Sequence, residues 1–83
     1  MAERPEGIDL CLHSSQDASL TVFFEPSGMA YSLAANDQLE AVVGQGPVFI
    51  GHTAAGIVVD SIHQVLVKEE DGQWRDVATG LGP

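Results

Sequence analysis

Apolar side chains recur at every second position through much of this chain, and that spacing commits it to strands. Ile8, Leu10 and Leu12 alternate with Asp9, Cys11 and His13, which gives an extended segment one apolar and one polar face. After the polar break Ser14-Ser15-Gln16-Asp17, Leu20, Val22 and Phe24 alternate with Thr21, Phe23 and Glu25. Pro26-Ser27-Gly28 then turns the chain, proline presetting φ and glycine accepting a positive φ. Met29, Tyr31 and Leu33 alternate with Ala30, Ser32 and Ala34, so residues 18–34 are predicted to form a β-hairpin.

The segment 36–44 fits two periods. Asp37 followed three residues later by Glu40 resembles a capping box, with Leu39, Val42 and Val43 on one helical face. The same stretch alternates as Leu39, Ala41 and Val43 against Glu40 and Val42, and the strand is preferred over a short helix. Glycines and Pro47 then isolate Val48-Phe49-Ile50 and Ile57-Val58-Val59, short β-branched runs that suit a sheet buried on both faces or a barrel. A last long strand is expected over Ser61–Glu70, followed by a turn at Asp71-Gly72. A three-residue loop 71–73 is preferred there. It would pair Lys68 with Asp76, Glu69 with Arg75 and Val67 with Val77, where a two-residue turn would oppose Lys68 to Arg75.

Six to eight short strands broken by frequent turns indicate an all-β fold, a small antiparallel β-sandwich or barrel, with at most one short helix near 36–44. Eighty-three residues allow one domain, 1–83, with 1–6 and 79–83 expected as flexible tails. At 45% hydrophobic and 18% charged, the chain is too apolar for a disordered acidic segment.

Charge narrows the function classes. Between Pro5 and Val67 there is no lysine or arginine, but there are seven carboxylates, and the formal net charge is −9. Direct contact with nucleic acid, or with an anionic membrane surface, requires clustered cations that this span lacks. A basic protein partner is compatible with such a surface. The single Cys11 can form no internal disulfide, the N-terminus carries no apolar signal segment, and no apolar run approaches the ~20 residues of a membrane span. A cytoplasmic location is expected.

No motif nominates catalysis, a metal or a cofactor. His13, His52 and His63 could be joined by Cys11, Glu25 or Asp60, but no H-x-H, H-x-x-x-H or C-x-x-C pair preorganises two ligands. Cys11 and His13 share a strand face, where a thiolate–imidazole pair is geometrically conceivable but a solvent-facing or subunit-facing cysteine is preferred, and no Gly-x-Ser-x-Gly elbow surrounds a serine. The glycine-rich run 44–51 lacks a Gly-Lys-Ser/Thr ending, and Pro47 removes an amide that a phosphate cradle would need. The chain is therefore read as non-catalytic.

Two surfaces remain. Glu69, Glu70 and Asp71, with Trp74 nearby, are the densest acidic feature and the nominated partner contact. Phe23, Val42 and Val65 fall on strand faces that a chain this short has difficulty covering, so they are nominated for self-association into a homo-oligomer. The preferred function is a small acidic interaction module: an accessory, inhibitor or immunity-type protein that engages a basic partner. The alternatives are a self-assembling structural subunit, or a small-molecule-binding barrel lined by Phe23, Tyr31, Phe49 and the histidines.

Overall fold

The alternating segments form the strands of two facing sheets. The computed structural model describes residues 4–81; those expected tail residues that are 1–3 and 82–83 lie outside this range. Eight strands follow in order: β1 Ile8–His13, β2 Leu20–Glu25, β3 Met29–Leu33, β4 Gln38–Val43, β5 Phe49–Thr53, β6 Gly56–Asp60, β7 Val65–Lys68 and β8 Trp74–Asp76. One sheet has the order β1-β4-β7-β8 and the other β3-β2-β6-β5. The fold is all-β. Every neighbouring pair is antiparallel except β2 and β6, which run parallel.

Inward-facing members of the period-two pattern meet between the sheets. Val22, Phe24, Leu33 and Val59 from one sheet pack against Leu39, Ala41, Val43, Val65, Val67 and Val77 from the other. Each of these Val, Leu and Phe side chains contributes about 1.5–3 kcal/mol when fully buried, which is how so short a chain offsets its ordering cost. The Phe24 and Tyr31 rings meet edge to face, 5.6 Å apart at 87°.

The hairpin predicted over 18–34 is present, with Leu20 opposite Leu33 and Phe24 opposite Met29. Gly28 takes φ +78° in its turn, and its amide donates to the Phe24 carbonyl. The segment 36–44 forms β4 and no helix. Asn36 turns the chain with φ +58°, and the following residue is captured by the end of β1. There the Ser14 amide donates to the Asp37 carbonyl at 3.0 Å, and the Asp37 amide donates to Ser14 Oγ at 2.9 Å. Those bonds extend a β-ladder and leave Asp37 unable to start a helix.

Three expectations are corrected. The run 48–50 is not buried on both faces: β5 lies at a sheet edge and all five of its residues are exposed. The long strand over Ser61–Glu70 is shortened to β7, Val65–Lys68, because residues 61–64 bend after the Ser61 amide bonds the Glu25 carbonyl.

The final hairpin also differs in register, with Lys68 opposite Trp74, Val67 opposite Arg75 and Leu66 opposite Asp76. Lys68 and Arg75 are not opposed, but none of the three expected pairs, Lys68–Asp76, Glu69–Arg75 and Val67–Val77, forms either. Its three-residue loop is 70–72, one residue earlier than expected, closed by Glu69 N–H to Gln73 O at 2.8 Å. Gly72 at φ +84° supplies the left-handed residue that ends the loop. The shift keeps every side chain on its expected face and draws Trp74 into the sheet beside Lys68.

A second, smaller apolar cluster lies on the outer face of the β1-β4-β7-β8 sheet, where Val42, Leu66 and Trp74 pack together. The chain's own N-terminal segment covers it. The Arg4 guanidinium sits over the Trp74 ring, and Gly7 passes so close to Val42 and Val43 that no side chain would fit there. Arg4 thus carries specific contacts, as do residues 79–81, where the Asp76 amide donates to the Leu81 carbonyl at 2.7 Å.

Candidate functional site

A cleft of about 740 Å³ lies at one end of the sandwich. It opens between β3, the start of β4 and the β7–β8 hairpin tip. Leu33, Leu39 and the half-buried Tyr31 form its apolar part, and Asp37, Glu40, Glu69, Glu70 and Asp71 bring five carboxylates to it. Secondary structure explains the convergence. Asp37 leads into β4 where Ser14 pins it, Glu40 projects outward from β4 three residues on, Glu69 closes the last hairpin's loop, and that 70–72 loop carries Glu70 and Asp71.

Two cations share the cleft, and both are engaged by its own acids. Lys68 Nζ lies 3.6 Å from Glu40 Oε2, and Arg75 Nη2 lies 3.5 Å from Asp71 Oδ2. The third cation, Arg4, pairs with Asp9 at 2.9 Å and with Glu40 at 3.6 Å. No salt bridge among the described residues involves Asp37, Glu69 or Glu70, so the cleft carries excess negative charge. Partial burial of Tyr31 pushes its phenol pKa above 10, and the nearby charge of Glu69 raises it further.

The nominated contact residues separate. Glu69, Glu70 and Asp71 line the cleft, with Glu70 and Asp71 exposed. Trp74 is only 3% exposed, its ring enclosed by Val42, Leu66 and Arg4, so it presents no free aromatic face to a partner. Sequence reasoning missed Asp37, Glu40 and Tyr31 as neighbours of the acidic turn. They lie 29 to 40 positions upstream and reach it only through the two-sheet stacking, which no local pattern announces.

The self-association candidates separate too. Val42 and Val65 are 1% and 4% exposed, the first beneath the N-terminal segment and the second in the main core. Phe23 is half-buried on the outer face of its sheet, between Ala30 of β3 and Val58 of β6. The aromatic pocket envisaged for a small molecule is not assembled, since of its proposed lining only Tyr31 borders the cleft. His13 and His52 stand on different sheets and His63 in the β6–β7 connection. Among the described residues no group of three or more His, Cys, Asp or Glu is placed to hold a metal ion. Exposed Cys11 makes one weak contact, 3.9 Å from Gln38 Oε1. Among the described residues no helix is long and apolar enough to cross a membrane.

Comparison with protein-family models, with curated proteins and with solved structures finds no match.

Proposed function

We propose that this protein is a small interaction module whose acidic cleft engages a basic segment of a partner protein, as an accessory, inhibitor or immunity-type protein would. The observation that carries this reading is the excess of five carboxylates over two already-paired cations around one 740 Å³ cleft. Lysine or arginine side chains fit it in two ways. Their charged heads meet Asp37, Glu69 and Glu70, and their aliphatic stems lie along Tyr31, Leu33 and Leu39. The field of a chain carrying −9 steers such a partner in from a distance, and added salt shortens its reach to roughly 8 Å at physiological ionic strength. The reading includes no reaction, and the cytoplasm is the proposed compartment.

The test is affinity capture from source lysate with three baits: wild type, Glu69→Gln/Glu70→Gln/Asp71→Asn, and Asp17→Asn/Glu25→Gln/Asp60→Asn. Both variants lose three negative charges. The expected result is a basic protein held by wild type and by the second variant, released by salt and lost from the first. Capture equal for both variants, or resistant to salt, would overturn the proposal.

A further inference from the structure

Among the described residues the strand β5, Phe49–Thr53, is bonded only to β6, so its other edge presents unpaired backbone amides and carbonyls. Edge strands in soluble proteins are usually blunted by lysine, proline, a bulge or a covering loop. Within β5 there is no charge and no proline, and Phe49 and Ile50 are 66% and 56% exposed on opposite faces. The surroundings are equally neutral. From Ala41 to Val59, nineteen consecutive residues, there is no Asp, Glu, Lys or Arg, in a chain whose net charge is −9.

We infer that β5 pairs with β5 of a second copy of this chain, joining two four-stranded sheets into one of eight strands. Charge selects this edge over the others. Two copies repel each other, so they meet where each is neutral. The β3 edge lies at the opposite side of the same sheet and borders the acidic cleft. The β1 edge carries Asp9, and β8 is capped by its own 77–81 segment through the Asp76–Leu81 bond. Pairing through β5 keeps the two clefts at the outer ends of the joined sheet, where they remain open to partners.

Register follows from symmetry. A twofold axis at the middle of an antiparallel pair falls on Gly51, opposing Gly51 to Gly51, Ile50 to His52 and Phe49 to Thr53 of the second copy. Gly51 removes side chains from the axis, and the aromatic–β-branched Phe49–Thr53 pairs flank it. Two five-residue strands bury less than about 1,200 Å², which places this dimer in the weak, concentration-dependent class.

Sedimentation equilibrium over a wide concentration range tests the pairing. The weight-average mass should rise from 8.8 kDa towards twice that value as concentration increases. Added salt should strengthen association, because it screens repulsion between like-charged copies, whereas it weakens capture of a basic partner. Gly51→Glu points its new side chain into open space, so the monomer tolerates it, while a dimer would set two carboxylates across the axis. At least a tenfold rise in dissociation constant is expected. Amide exchange on the wild-type protein reads the interface without a variant, with protection rising with concentration at β5 and not at β3 or β1. The inference is overturned by monomeric mass at every concentration in high salt, which leaves the edge to another protein's strand. Concentration-dependent protection at β3 or β1, or a Gly51→Glu protein that dimerises as tightly as wild type, overturns it equally.

Discussion

The Arg4 guanidinium lies 5.6 Å from the centre of the Trp74 ring, so the beginning of the chain closes the outer face of the sheet that ends at β8. Arg4 is held there by Asp9 and Glu40, and Glu40 also holds Lys68, so one carboxylate links β4, β7 and the N-terminal segment. Arg4→Ala should lower the melting temperature modestly and shift emission from Trp74, the only tryptophan, to the red. An unchanged emission maximum would show that the ring is covered without Arg4.

Tyr31 is the only tyrosine, so its ionisation can be followed directly by absorbance. Burial first, and the Glu69 charge second, set its pKa above 10. A folded-state pKa above the unfolded value means that this group's stabilising contribution is complete below about pH 10 and lost as pH rises through the folded pKa. Glu69→Gln should bring the midpoint part of the way back towards 10. A midpoint insensitive to Glu69→Gln would place that carboxylate too far away to act on the phenol.

Glu25 and Asp60 stand opposite each other across the parallel β2–β6 pair, both exposed and on the same face. Like charges in that position destabilise a sheet. Asp60→Asn should therefore raise stability by roughly 0.2–1 kcal/mol in urea denaturation at low salt, with a smaller gain at high salt. A loss of stability would mean that Asp60 has a favourable role outweighing the repulsion.

Gly56 and Gly72 both hold positive φ, +150° and +84°, but only Gly56 is enclosed. A Cβ at Gly56 would strike the Thr21 carbonyl where β2 and β6 run side by side, whereas Gly72 at the hairpin tip has open space. Gly72→Ala should cost about 1–2 kcal/mol, the left-handed penalty alone. Gly56→Ala adds a clash with fixed backbone and should cost more, a large share of the few kcal/mol available to so small a domain. Equal destabilisation of the two variants by chemical denaturation would contradict this packing.

The β2–β3 hairpin was legible because period two, proline and glycine all agree within seventeen residues. The loop after β7 was misplaced by one residue because cross-strand charge was weighed above Gly72's need for a left-handed position, and surface ion pairs of this kind are worth only about 0.2–1 kcal/mol. Hydrophobicity alone points to burial of the Val48-Phe49-Ile50 run, because it reports what is costly to expose, yet β5 exposes Phe49 and Ile50 all the same. Val42 suggested a second subunit, yet the covering layer is the chain's own residues 4–7, whose composition carries no sign of docking. The cleft itself joins β3, β4 and the last hairpin through sheet stacking, so its acidic turn was visible in the sequence but its other walls were not.

The most direct test of the acidic cleft is the affinity of the captured basic partner, measured by calorimetry across ionic strength for wild type and the two charge-matched variants. Three rim contacts at about 0.5 kcal/mol each predict at least a tenfold loss for Glu69→Gln/Glu70→Gln/Asp71→Asn. The Asp17→Asn/Glu25→Gln/Asp60→Asn protein should lose much less, and wild-type affinity should fall steadily with salt. Equal losses in the two variants would mean that net charge rather than the cleft binds the partner, and would contradict the account.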